Sequence, residues 1–159
     1  QFDVVREWNN PKAPGRHRVD IAVVKKGEPQ LLLELKAMYT FDATRNKREY
    51  IEKLGSDEEK VLALGGSNTT VFSILVASNP RPDDLPDLPD FIKYRSNIER
   101  SLRESTPSDV ARTARKIARD DFTSGSEREL ACHHTIEGKG KSFGMGCDVL
   151  VWGFTPTPY

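Results

Sequence analysis

Two short apolar segments separated by a tight loop constrain the fold of this 159-residue chain more than any other feature. The segments are residues 18–24 and residues 30–36, and the loop between them contains Gly27 and Pro29. Both segments are rich in Val, Ile and Leu and are too short to form typical helices. They therefore predict a β-hairpin.

These apolar segments contain four charged residues, and three of them, Asp20, Glu34 and Lys36, are predicted to share one face of the hairpin. If the hairpin turns at Gly27, Asp20 lies opposite Glu34, with Cβ atoms roughly 4.5–5.5 Å apart. Lys36 projects from the same face as Glu34, because side chains alternate along a strand. Two carboxylates at that separation repel each other unless a proton or a cation intervenes, so the spacing favours a metal site. The alternative is an ordinary half-exposed hairpin with weak surface ion pairs, and a one-residue shift in register would separate the two acids.

The two faces of the predicted hairpin differ in polarity. The face without the charged residues is entirely apolar and is predicted to pack into the core. It comprises Val19, Ile21, Val23, Leu31, Leu33, Leu35 and Ala37. The charged face also carries Ala22, Val24 and Leu32, which indicates a cleft rather than open solvent.

The pattern of Asp20, thirteen residues and then Glu34-Leu35-Lys36, with an apolar strand around each half, resembles the core of the PD-(D/E)xK nuclease superfamily. The resemblance implies an α/β, restriction-endonuclease-like fold, in which helices flank a mixed central sheet. It also implies that Asp20 and Glu34 bind Mg²⁺ or Mn²⁺ with the main-chain carbonyl of Leu35, and that Lys36 orients or activates the attacking water. Mg²⁺ suits a few carboxylate oxygens, retained waters and a substrate phosphate, and a bound cation lowers the pKa of water.

The resemblance covers roughly residues 2–78 and departs from the family pattern at two points. Val19 occupies the position of the proline that names the motif, and the usual N-terminal helix is not evident. Residues 2–8 are compatible with a strand or with the start of a helix. We favour a strand that pairs with the Asp20 strand and has Phe2, Val4, Arg6 and Trp8 on one face. Glu7 is the candidate for a third catalytic acid, and an exposed edge charge is the alternative. The opening at Gln1 is consistent with a missing upstream helix.

The remaining elements complete a single predicted domain over residues 1–159, with the core motif at 2–78 and an extension at 90–154. A capping box at Ser56 and Glu59 predicts that the first helix restarts after an interruption at Gly55, and Thr106 is a predicted N-cap. The predicted elements are a helix over 42–64 that ends at Gly65-Gly66, a central strand over 69–77, a surface loop over 79–90, helices over 90–104 and 106–120, and a C-terminal β-hairpin over 130–154.

Two groups of basic residues lie at helical spacing and are candidates for binding a nucleic-acid backbone, since Arg and Lys supply sequence-independent contacts to phosphates. A solvated helix face is the alternative for both groups. The first group comprises Arg45, Lys47, Arg48 and Lys53, and the second comprises Arg112, Arg115, Lys116 and Arg119. The 24 basic and 24 acidic residues balance, which argues against a protein that coats DNA generally.

Composition favours a soluble, cytoplasmic protein. No apolar run approaches the ~18 residues of a membrane span, and no secretory signal is visible. Two cysteines provide no disulfide framework, which favours a reducing compartment. Cys132, His133, His134 and Cys147 are zinc-ligand types, but they lack paired spacing, so structural roles are favoured.

These observations predict a metal-dependent endonuclease that hydrolyses DNA phosphodiester bonds, with RNA as a further candidate substrate. Cleavage of both strands would require two active sites, which is compatible with a homodimer. The main alternative is a non-catalytic module on the same scaffold that binds nucleic acid or a protein, because fold does not determine function. A small-molecule enzyme that uses the C-terminal Cys/His cluster is the third hypothesis.

Overall fold

The computed structural model describes residues 1–10, 18–66, 68–81, 95–121, 128–134, 140–142 and 145–156. These residues form strands and helices of the mixed α/β class, which confirms the predicted class. The strands are β1 (Asp3–Asn9), β2 (Arg18–Lys25), β3 (Glu28–Tyr39), β4 (Thr70–Pro80), β5 (Arg128–His134), β6 (Gly140–Ser142) and β7 (Met145–Pro156). The helices are α1 (Thr40–Arg45), α2 (Lys47–Leu64), α3 (Arg95–Glu104) and α4 (Pro107–Lys116), and a π-helical turn follows at Ile117–Asp121.

The described strands form one seven-stranded mixed sheet in the order β1-β2-β3-β4-β7-β5, and β6 pairs with β7. Strands β1, β2 and β3 are antiparallel neighbours. Helices α1 and α2 then connect β3 to β4, which lies parallel to β3, as a crossover connection requires. Strand β7 joins β4 in antiparallel orientation and also pairs with β5, so the predicted C-terminal hairpin is confirmed.

The β2–β3 hairpin has the predicted register because of a bulge. Lys26 and Gly27 form its turn with φ angles of 53° and 81°, as in the mirror-image turns that suit hairpins. Next to the turn, Val24 pairs with Pro29, whereas Val23 pairs with Leu31, so β3 has one extra residue at this point. The pairing continues in this shifted register to Ile21 and Leu33. The bulge therefore places Asp20 opposite Glu34 instead of opposite Leu33.

Gly27 is the residue on which this turn depends most. An added Cβ would meet no heavy atom within 4 Å, so Gly27→Ala should not clash, but it would force a side chain into left-handed backbone conformation. We expect a loss of about 1 kcal/mol in the free energy of unfolding, measured by urea denaturation. Gly66→Ala is the matched control, because its Cβ is also unobstructed and its φ is not positive. Equal losses in the two variants would contradict this account of the turn.

The core lies on the face of the sheet opposite to the one predicted. Ala22, Val24 and Leu32 are buried and pack with Val61 and Leu64 of α2. Of the residues predicted to form the core face, Val19 is fully buried. The others are only partly buried or exposed, and they are Ile21, Val23, Leu31, Leu33, Leu35 and Ala37. The prediction failed because both faces of the hairpin are apolar, and pattern alone cannot show which one a helix will cover.

A second cluster extends the same core across the sheet. Ala114 and Ile117, on and just after α4, pack with Leu75 of β4 and with Trp152 and Phe154 of β7. The even-numbered residues of β3 and the odd-numbered residues of β4 thus face α2 and α4. Lys36 and Glu34 belong to this helix-covered face.

Strand β1 confirms the predicted pairing with β2 but not the predicted alternation. Glu7 has a φ of 50°, which interrupts the extended conformation that alternation requires. Trp8 consequently turns to the core and is 8% exposed, whereas Phe2 and Val4 are 59% and 72% exposed. The predicted shared face of Phe2, Val4, Arg6 and Trp8 is therefore wrong for Trp8.

The helices differ from the predictions at one point. Helix α2 runs without interruption through Gly55, and the break lies at Asn46, the C-cap of α1. One glycine inside a helix costs only about 1 kcal/mol, which burial of Val61 and Leu64 can offset. The ends are as predicted, since Gly65 caps α2 and the Thr106 side chain accepts a hydrogen bond from the Asp109 N–H.

Helix α3 confirms the later part of the predicted helix over 90–104, with Ile98 fully buried. Strand β4 extends to Pro80, so Asn79 and Pro80 are buried in the sheet and not part of the predicted surface loop over 79–90. The part of that loop after Arg81 and the predicted start of α3 lie outside the described residues. None of the described helices is long and apolar enough to cross a bilayer.

Candidate functional site

The candidate site lies where β2 and β3 separate. The ladder between these strands extends from the turn to Ile21 and Leu33. Beyond that point β3 continues to Tyr39, paired with β4. In this part of β3, a residue whose backbone N–H and C=O point toward β2 has no strand partner on that side, so these groups need other hydrogen-bond partners. Leu35 is such a residue, and its N–H donates to Oδ2 of Asp20 at 2.7 Å.

The structure brings Asp20 and Glu34 together through reciprocal contacts. The Asp20 carboxylate binds the backbone of Leu35, and the Asp20 N–H donates to Oε2 of Glu34 at 3.4 Å. Regular alternation would place Val19 and Ala22 on opposite faces of β2, but both face the core. The strand is therefore irregular around Asp20. The Asp20 carboxylate thus turns toward the β3 backbone at the separation of the strands.

Helix α2 brings two further charged residues to the site. Nζ of Lys60 lies 2.6 Å from Oε1 of Glu34, and Nζ of Lys36 lies 2.5 Å from Oδ2 of Asp57. All four side chains are largely shielded from solvent, and that of Glu34 is 11% exposed. Two ion pairs therefore join α2 to β3. In one pair the acid is on β3 and the lysine on α2, and in the other pair the positions are reversed.

Sequence reasoning missed Asp57 and Lys60 as site residues. The sequence did contain an indication of these two residues. Asp57, Lys60 and Leu64 lie three to four positions apart and thus on one face of α2. The buried Val61 and Leu64 show that this face packs on the sheet. Charged residues that extend a buried helical stripe need partners, and Glu34 and Lys36 provide them.

Burial raises the pKa of Glu34 above its ordinary value of 4.5. The hydrogen bond and the positive charge of Lys60 lower the pKa, the negative charge of Asp20 raises it, and the Asp20 N–H lowers it. The cost of desolvating the carboxylate is the largest of these effects. The folded protein therefore holds the Glu34 proton more tightly than the unfolded chain does.

This raised pKa predicts how Glu34 affects stability. Its stabilising contribution is fully present below pH 4.5 and is lost as the pH rises from there through the folded-state pKa. We expect the free energy of unfolding of the wild type, relative to that of Glu34→Gln, to decrease from pH 4 to pH 7. Urea denaturation of both proteins across this range measures the difference. An increase with pH would show that Lys60 outweighs burial.

The donor set suits a hard divalent cation. Asp20 and Glu34 supply carboxylate oxygens, and the carbonyl of Leu35 projects toward β2, like its N–H. No group of three His, Cys, Asp or Glu side chains in the described part of the chain is arranged to hold a metal ion. An ion bound to Asp20, Glu34 and Leu35 would thus retain several waters, as Mg²⁺ does.

Glu7, the predicted third acid, lies on β1 between two residues that pair with Ile21 and Val19 of β2, and thus beside Asp20. Its carboxylate is 62% exposed and lies 3.9 Å from Nη1 of Arg18. Its catalytic role stays a prediction.

The basic residues predicted to bind nucleic acid are mostly engaged with carboxylates. Arg45 contacts Glu104 of α3 at 3.0 Å, and Arg48 contacts Glu52 at 2.8 Å. Lys47 is partly buried, and the side chain of Lys53 lies outside the described set.

On α4, Arg112 pairs with Asp109, whereas Lys116 and Arg119 both pair with Asp120. Their fellow candidate Arg115 is partly buried. Arg119 and Lys116 together lower the pKa of Asp120 to about 2. Exposed pairs of this kind contribute little to stability, and a role of these residues in binding nucleic acid stays a prediction.

The C-terminal Cys and His residues lie on two strands, with Cys132, His133 and His134 on β5 and Cys147 on β7. Cys132, His133 and His134 pair with Gly153, Trp152 and Val151 of β7, and their side chains lie outside the described set. Cys147 pairs with Pro80 of β4 and is a free, partly buried thiol. Burial raises its pKa, which disfavours the thiolate that metal binding requires.

Comparisons of the chain with protein-family models, with curated proteins and with solved structures find no significant match.

Proposed function

We propose that this chain is a metal-dependent nuclease of restriction-endonuclease-like fold. It uses Asp20, Glu34 and Lys36 to hydrolyse DNA phosphodiester bonds. The carrying observation is the convergence of two carboxylates and the Leu35 backbone where β2 leaves β3, with Lys36 two residues from Glu34 on the same strand. The strand order supports the fold proposal. Three antiparallel strands, a helical crossover and a parallel fourth strand agree with what the sequence resemblance implies.

In the proposed reaction, Asp20, Glu34 and the Leu35 carbonyl would hold Mg²⁺ or Mn²⁺. When bound there, such a cation would lower the pKa of a water ligand and offset negative charge on the phosphate. Lys36, two residues from Glu34 on β3, is held by its ion pair with Asp57 and would supply a further positive charge to the proposed site. Its ammonium orients the water and stabilises the phosphate as negative charge develops in the transition state. Asp57 is a positioning residue that acts through Lys36.

Cleavage of supercoiled plasmid in the presence of Mg²⁺ or Mn²⁺ tests this function. We expect conversion of the supercoiled form to nicked or linear DNA, and full inhibition by EDTA. A matched reaction with single-stranded RNA examines the other substrate class. Absence of cleavage of both nucleic acids with either metal would contradict the proposal.

The ion pairs also favour a second candidate, a non-catalytic module that binds nucleic acid or a protein. Glu34 and Lys36 each have a counter-ion on α2, and the Asp20 carboxylate has a backbone partner. Such a network could simply stabilise the packing of α2 on the sheet. Calorimetric titration with Mn²⁺ distinguishes the candidates, because only the nuclease requires saturable binding that depends on Asp20.

A further inference from the structure

Lys60 places its positively charged ammonium beside a carboxylate oxygen of Glu34, one of the proposed metal ligands. Its Nζ lies 2.6 Å from Oε1 of Glu34, within a pair whose side chains are only 23% and 11% exposed. The contact spans 26 residues of sequence and joins α2 to β3. An ammonium at hydrogen-bond distance from a shielded carboxylate meets the same electrostatic need that a metal ion would meet.

The charges of the site indicate what metal binding would change. Asp20, Glu34 and Asp57 contribute three negative charges when ionised, and Lys36 and Lys60 contribute two positive charges. The site therefore has one net negative charge, which repels a phosphodiester. Addition of a divalent cation reverses the sign to one net positive charge, which attracts it.

The divalent cation and the Lys60 ammonium cannot both remain close to the same carboxylate without strong repulsion. At 4 Å, two unit charges interact by about 4 kcal/mol in surroundings typical of a protein surface, and a divalent ion doubles this. Lys60 has four methylene groups and rotatable bonds, so its ammonium can move while the α2 backbone stays in place. Metal binding would therefore exchange one cation for another on Glu34.

We propose that Lys60 is an internal competitor for the divalent cation: it neutralises Glu34 while the metal is absent and must leave Glu34 when the metal binds. This inference rests on the proposed metal-dependent function and adds a regulatory residue to that site. The competition weakens metal binding in the wild type. It also couples binding to a rearrangement that frees the Lys60 ammonium for a phosphate.

Calorimetric titration with Mn²⁺ of the wild type and of Lys60→Met tests the exchange. We expect Lys60→Met to bind Mn²⁺ about tenfold more tightly, because a charge-assisted hydrogen bond no longer opposes binding. Adding Glu34→Gln to Lys60→Met should abolish this gain. Lys116→Met is the matched control, since it breaks the 2.7 Å pair with Asp120 on α4 and should leave the affinity unchanged.

Thermal unfolding without metal provides a second measurement. Lys60→Met should melt below the wild type, since Glu34 loses its counter-ion, and saturating Mn²⁺ should raise its melting temperature more than that of the wild type. If Lys60→Met does not fold, Lys60→Gln carries the same predictions, because it removes the charge and keeps a hydrogen-bond donor.

The outcomes separate this inference from the proposed function. Equal or weaker Mn²⁺ binding by the Lys60 variants, with saturable binding by the wild type, would overturn the competition and leave the metal site standing. No binding by either protein would overturn both.

Discussion

Replacement of Asp20 by Asn is expected to lower metal-dependent DNA cleavage by roughly 10²–10³-fold without disturbing the fold. The amide oxygen of Asn can still accept the hydrogen bond from the Leu35 N–H, so the contact at the separation of β2 and β3 is preserved. The negative charge that would bind the cation is lost. Initial rates of plasmid cleavage at several Mg²⁺ concentrations measure the effect.

Lys36→Ala should cause a loss of similar size, because it removes the ammonium proposed to orient the water and leaves the proposed metal ligands in place. Asp3→Asn is the matched control for the aspartate change. Asp3 is exposed on β1 and has no part in the proposed site, so its variant should cleave at the wild-type rate. Normal cleavage by Asp20→Asn, with folding verified by circular dichroism, would remove the basis of the nuclease proposal.

Leu32→Ala is expected to reduce the free energy of unfolding by about 2–5 kcal/mol, as deletion of a buried leucine side chain typically does. Leu32 is 0% exposed and packs in the cluster that joins the sheet to α2. The adjacent Leu33 provides a matched control, since it is the same residue type on the other face of the same strand and is only partly buried. Leu33→Ala should cost about 1 kcal/mol.

Urea denaturation of both leucine variants measures this difference. The comparison tests which face of the hairpin forms the core under α2, and therefore whether Glu34 and Lys36 face the helix. A larger loss for Leu33→Ala than for Leu32→Ala would contradict this arrangement and would separate Lys60 and Asp57 from the site.

The hairpin could be predicted because its determinants are local, since Gly27 permits the turn and short apolar segments flank it. The pairing of Asp20 with Glu34 was predicted from a turn centred on Gly27, whereas the structure reaches the same register through a turn at Lys26 and Gly27 and a bulge that the sequence did not indicate. Strand β4 and the cap at Thr106 were predictable for the same reason, since each depends on a few neighbouring residues.

Long-range features could not be predicted in the same way. The choice of the buried face depended on α2, because Ile21 and Ala22 are both apolar and only the position of a helix distinguishes their faces. The ion pairs of Lys36 and Lys60 join residues 21 and 26 positions apart, which no local pattern shows. The positive φ of Glu7, which accompanies the burial of Trp8, is likewise not indicated by any local pattern.

Anomalous diffraction at the manganese edge, from crystals soaked in Mn²⁺, tests the proposed metal site directly. We expect one strong peak within coordination distance of the Asp20 and Glu34 carboxylates, with Lys60 Nζ displaced from Glu34 Oε1. A fully soaked crystal with no peak at these carboxylates, and with the Lys60–Glu34 pair intact, would contradict the proposed site.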